Sequence, residues 1–114
     1  MKTAIVHVAH EIPDRQPLRI AAGDEVRVGA RDTEWPEFVF VTALGGSGWV
    51  PARHLSADAG TALVLTAYNT QELATRVGER LAVLEEDEQS GWSWCRAESG
   101  GEGWVPIKTL DVAS

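Results

Sequence analysis

The chain has 114 residues, 44% hydrophobic and 24% charged, with a formal net charge of −7. Acidic residues spread along the chain disfavour phosphate backbones and anionic lipid, so neither nucleic acid nor a membrane surface is an expected partner. The single cysteine, Cys95, excludes an internal disulfide, and the opening MKTAIVHVAHE lacks the apolar core of a signal peptide, so the expected location is cytoplasmic.

In chain order, the first chemistry-bearing group is His7, His10 and Glu11. On an extended strand the two histidines face opposite sides, so no metal site is expected there. Period-two alternation then marks strands at Glu25-Val26-Arg27-Val28 and Phe38-Val39-Phe40-Val41. Gly45, Gly46 and Gly48 predict a hairpin turn into a short Gly-Trp-Val strand, which Pro51 stops because proline cannot donate to a sheet ladder. Leu55 re-enters the sheet. Beyond the small, polar SADAGT, the same order returns: alternation at Trp92-Ser93-Trp94-Cys95, glycines at 100, 101 and 103, Gly-Trp-Val, Pro106 and Leu110.

The echo has a fixed offset. Trp49 and Trp104 stand 55 positions apart, as do Gly23 and Gly78, Val28 and Val83, Pro51 and Pro106, and Leu55 and Leu110. This is the mark of an internal duplication. It predicts units at 1–55 and 62–114, joined by a linker at 56–61 without regular structure. No segment sustains a helical period, so the expected fold is all-β, each unit about five short strands in a small, partly open barrel. Such units have thin cores, to which the five tryptophans supply large apolar areas.

The succession of a small-residue strand, Glu-Leu, Gly-acidic, an apolar pair, an acidic loop, a Trp strand, a glycine turn and Gly-Trp-Val-Pro resembles an SH3 domain. Its residues in the second half are Tyr68, Glu72-Leu73, Gly78-Glu79, Leu81, Val83, the loop 85–90, Trp92, Gly103 and Val105-Pro106. In the first half they are Leu18, Gly23-Asp24, Val26, Val28, Glu34-Trp35-Pro36, Phe38, Gly48-Trp49-Val50-Pro51 and Leu55. The variant is most similar to bacterial tandem SH3-like proteins. The resemblance implies two tandem SH3-like five-stranded barrels with an aromatic groove for a polyproline II peptide, whose stiffness lowers the entropy cost of binding.

Carried over position by position, the resemblance places Tyr68, Trp92 and Pro106 in the second groove, with Thr109 where the family has a second tyrosine. In the first, His10, Phe38, Pro51 and His54 take these places, and Trp35 stands in the adjoining loop. The acidic run 85–88, represented by Glu86, would attract a basic ligand residue or be a solvated turn. Trp94 shares the Trp92 face by alternation, either extending the aromatic strip or lying covered. Trp49 and Trp104 are expected to be structural, and Cys95 an inert packed thiol.

The expected function is a non-enzymatic binding module, with no cofactor, for an extended protein segment or peptide, Pro-containing or basic, acting as a monomer or weak homodimer. The alternative is a structural or regulatory domain whose aromatic faces are buried by packing between repeats or by homodimerisation.

Overall fold

A computed structural model describes residues 2–13 and 16–113. The fold is all-β, with two short 3-10 turns and no α-helix among the described residues. Contacts divide the chain into two compact units: Met1–Arg15 with Gln71–Ser114, and Gln16–Thr70. The sequence pattern had placed the units at 1–55 and 62–114, so the observed division differs from the linear cut.

The discontinuous unit is a five-stranded antiparallel sheet in the order β10-β9-β8-β1-β11. Its strands are β1 (Lys2–Val6), β8 (Arg80–Asp87), β9 (Trp92–Ala97), β10 (Glu102–Pro106) and β11 (Leu110–Ala113). The continuous unit holds β2 (Arg19–Ile20), β3 (Glu25–Arg31), β4 (Phe38–Ala43), β5 (Gly46–Pro51), β6 (Gly60–Leu63) and β7 (Tyr68–Asn69). Here β5-β4-β3-β6 form one sheet, and β2 pairs with β7.

The difference from the linear cut comes from one pair of strands. Thr3-Ala4-Ile5-Val6 and Thr61-Ala62-Leu63-Val64 are the same tetrad, Thr-Ala-aliphatic-Val, 58 positions apart. Each closes the sheet of the other repeat. β1 lies between β8 and β11, with Ala4 opposite Leu81 and Val112. β6 lies against β3, with Ala62 opposite Val26, and Val64 bridges to Leu55.

The flanking bonds repeat too. Gly78 N–H donates to Val6 O and Gly23 N–H to Val64 O, both at 2.7 Å. Both glycines have positive φ, +90° and +94°, which a side chain would disfavour at these tight turns. Val6 N–H donates to Glu79 O and Val64 N–H to Asp24 O, both at 2.9 Å. Strand β6 also takes in Gly60 and Thr61, which the sequence had assigned to the unstructured linker. Thr61-Ala62-Leu63 alternates as a half-buried strand, and this pattern prevails over the polar composition of the preceding residues.

Each unit has its own core. In the continuous unit it is built from Leu18, Ile20, Val26, Val28, Val39, Val41, Val50, Leu55, Ala62 and Val64. In the discontinuous unit it comprises Ala4, Val6, Leu81, Val83, Cys95, Ala97, Val105 and Leu110. Ala4 and Val6 are therefore core residues of the sheet that carries Trp92.

Candidate functional site

Strand β9 alternates strictly: Ser93, Cys95 and Ala97 point inward, while Trp92 and Trp94 are half-buried on the other face. The inward residues are small because they pack under the neighbouring strands. Trp92 stands directly opposite Pro106, the last residue of β10. Pro106 is buried and precedes the 3-10 turn Ile107–Thr109. Thr109 closes that turn by donating its hydroxyl to Pro106 O at 2.7 Å.

The fourth wall comes from the N-terminal segment. The His10 ring meets Trp92 edge-on at 5.3 Å and 77°, and its Nε2–H donates to the Glu72 carboxylate at 2.8 Å. Backbone bonds fix this arm: His10 N–H donates to Thr75 Oγ1, and Thr75 N–H to His10 O, both at 3.0 Å. His10, Trp92 and Pro106 thus share one face, with a carboxylate behind the imidazole. His7, three residues before His10, instead donates from Nε2 to Lys108 O.

The continuous unit builds the equivalent face from its own parts. Phe38 stands directly opposite Pro51, as Trp92 does opposite Pro106. His54, in the 3-10 turn Ala52–His54, meets the Tyr68 ring edge-on at 5.1 Å and 77°. Its Nδ1–H donates to Thr66 O. Phe38 and Pro51 are buried, whereas Tyr68 and His54 are half-buried. Trp35 is half-buried in the turn before β4, where the Asp32 carboxylate accepts the Glu34 and Trp35 amides.

The strand exchange therefore redistributes the expected grooves. Tyr68 belongs to the unit of Phe38, Pro51 and His54; His10 belongs to the unit of Trp92, Pro106 and Thr109. The set Tyr68, Trp92 and Pro106, which the resemblance put in one groove, is divided between the units. His10 and Tyr68 lie 58 positions apart, the offset of the two Thr-Ala-aliphatic-Val strands, so each ring travels with its strand. The resemblance marked the two positions as equivalent. It could not say which sheet each would join.

Two other expected ligand residues have partners within their own unit. Trp94 stacks edge-on against Trp104 at 5.3 Å and donates Nε1–H to Glu102 at 2.9 Å. Glu86 accepts from Lys2 Nζ at 2.9 Å. The run from Glu85 to Asp87 is the end of β8 rather than a loop, because it pairs with Trp94, Ser93 and Trp92 on β9. Hydrogen bonds from Trp94 and then Arg96 hold the Glu102 carboxyl below its ordinary pKa. The Glu86 hydrogen bond and charge raise the ammonium of Lys2 above its ordinary value. Cys95 is fully buried, and burial pushes its thiol up to about 11, with Glu86 adding to the shift. A thiol held protonated is a poor nucleophile.

Sequence reasoning missed Glu72 as a neighbour of His10. The available signal was Glu72-Leu73 beside the strand's aromatic face, but Glu72 was assigned to a different unit from His10. No helix among the described residues is long and apolar enough to cross a membrane.

The SH3 domain family model matches residues 65–107. Human "Formin-binding protein 1-like" is 42% identical over 45 residues, which are 40% of this chain and 7% of that protein. The rat "Cdc42-interacting protein 4" is 49% identical over 35 residues, 31% of this chain and 6% of the relative. The Xenopus tropicalis "Formin-binding protein 1-like" is 41% identical over 44 residues, 39% of the chain and 8% of the relative. These vertebrate proteins are far longer than the shared stretch and lend no support to a specifically bacterial variant. No solved structure matches. The matched segment starts in the continuous unit and ends in the other, since the boundary falls between Thr70 and Gln71. Residues 65–107 of this chain match the SH3 domain family model, and the strand that pairs with β8 within that segment comes from residues 2–6.

Proposed function

We propose that the chain is a tandem, non-enzymatic protein-interaction adaptor whose Trp92 face holds an extended, Pro-containing or basic peptide. The observation that carries this reading is the half-buried Trp92 ring, set opposite Pro106 and edge-on to His10, within the segment that matches SH3 domains. A flat ring beside a proline offers the apolar contact that a polyproline II segment needs, and the Glu72 carboxylate adds an acidic edge for a Lys or Arg. The names of the relatives speak of binding formin and interacting with Cdc42, which are partner proteins of those relatives. The Tyr68–His54 face is a second, smaller surface of the same kind.

Affinity should be modest. Pro106 and Thr109 are buried, so fewer groove walls offset the cost of association. The test is calorimetric titration of the whole chain with three peptides: a basic proline-rich one, a neutral proline-rich one, and a scrambled control without proline. The adaptor reading predicts binding of the first two, with the basic peptide weakened more by salt because exposed charges are screened over ~8–10 Å at physiological ionic strength. No heat from any proline-rich peptide would leave the fold without this function.

A further inference from the structure

The two Thr-Ala-aliphatic-Val strands are interchangeable parts, and we infer that the chain has a second pairing in which each strand returns to its own repeat. The observations are internal to the structure and do not depend on the peptide-binding reading. Both strands bury the same side chains: Ala4 and Val6 in one sheet, Ala62 and Val64 in the other.

Both strands also enter the same register. Thr3 faces Ala82, and Thr61 faces Arg27, residues 55 apart in the duplicated sequence. Following bonds match as well: His7 N–H donates to Thr109 O at 2.9 Å, and Leu65 N–H to His54 O at 2.7 Å. Exchanging the strands therefore keeps the register against β8 and β3, the buried methyl groups and the tight turns at Gly23 and Gly78, while the four-residue pairing of β1 with β11 has only the Leu55–Val64 bridge and the Ser56 N–H to Leu63 O bond as its present counterpart. What changes is a set of side-chain contacts, the Lys2–Glu86 ion pair among them, since Gly60 stands at the place of Lys2 in the other strand. Each strand carries its ring with it: Tyr68 would take the place of His10 against Trp92, and His10 that of Tyr68 against His54. His10 would give up its Glu72 partner. Two packings of one sequence that share their register and buried side chains meet the condition for a two-state fold, with the minor form a few per cent or less of the population.

The states are distinguishable because a residue of β1 has a different neighbour in each. Thr3 stands opposite Ala82 in the observed pairing. In the second pairing it would stand opposite Arg27, the position that Thr61 now faces. Directly opposed residues in a sheet have Cβ atoms about 4.5–5.5 Å apart, near disulfide reach.

The experiment compares three double variants of the whole chain in an oxidising glutathione buffer: Thr3→Cys with Ala82→Cys, Thr3→Cys with Arg27→Cys, and Thr3→Cys with Thr42→Cys as control. Thr42 faces Arg27 from β4 and meets Thr3 in neither pairing. Variants with one introduced cysteine beside the native Cys95 check folding, and bonds are mapped by peptide mass. The first pair should close rapidly, reporting the observed fold. The inference predicts that the Arg27 pair also closes within one chain, more slowly than the first but several-fold faster than the control, because oxidation traps a minor state progressively. Closure of the Arg27 pair no faster than the control, or only between chains, would overturn the inference.

Discussion

The two units repeat one plan, yet they seal the edge strand after the glycine hairpin in different ways. In the discontinuous unit, Gln71 to Leu73 run along β10: Trp104 N–H donates to Gln71 O, and Leu73 N–H to Trp104 O. This backbone lies so close to Gly103 that a Cβ there would come within 2.6 Å of the Glu72 carbonyl carbon. In the continuous unit, Leu18 N–H turns instead to the Thr70 hydroxyl at 2.6 Å, and the nearest atoms to a Cβ on Gly48 belong to the Thr70 side chain, the first at 3.1 Å. The same Gly-Trp-Val-Pro motif thus supports a sealed backbone crossing in one unit and a side-chain contact in the other. Trp104 is accordingly buried and receives Trp94, whereas Trp49 is half-buried against Phe40.

The largest expected effect follows from that burial. Trp104→Ala should lower stability by ~3–5 kcal/mol, the usual loss for a truncated core aromatic. Trp49→Ala and Trp92→Ala should each cost clearly less, since both rings are half-buried. Equal urea midpoints for the three would remove the distinction between the two edges.

Next is the glycine pair. Gly103→Ala forces the rigid backbone at Glu72 and Leu73 apart and should cost roughly 1–3 kcal/mol, as overpacking does. Gly48→Ala needs only a small movement of the Thr70 side chain and should lie near the lower end of that range or below it. A larger loss for Gly48→Ala would reverse the comparison.

The smallest effect is electrostatic and sharpens the account of the edge at Glu102. Its folded pKa is lowered, so its contribution to stability is present above the unfolded value and is lost as pH falls through the folded one. The stability difference between the wild-type chain and Glu102→Gln should therefore be constant near neutral pH and shrink below about pH 4.5, the ordinary glutamate value. A difference that is unchanged down to acid unfolding would show that the bonds from Trp94 and Arg96 contribute nothing through ionisation.

Much of this architecture is legible in the sequence. Period-two alternation located β3, β4 and β9; glycine clusters located the hairpins; and the prolines marked where β5 and β10 give way to 3-10 turns. The strand partners were not legible for a physical reason. Thr3–Val6 and Thr61–Val64 present the same shape, burial and hydrogen-bonding groups, so no local pattern states which sheet each will close. The same ambiguity hid the companions of His10 and Tyr68. Glu85 to Asp87 read as an acidic loop because charge dominates their composition, yet main-chain pairing with β9 keeps them in a strand. Trp94 was left open between ligand face and packing; its bond to Glu102 and contact with Trp104 draw it to the sheet edge.

The central claim is that the binding face belongs to Trp92 with His10, and that Tyr68 serves the other unit. It is tested most directly by calorimetric titration of a basic proline-rich peptide into the wild-type chain, Trp92→Ala and Tyr68→Ala, each first shown to be folded. The account predicts that Trp92→Ala abolishes the tighter binding event while Tyr68→Ala retains most of it. Equal loss in both variants, or binding that survives Trp92→Ala unchanged, would contradict it.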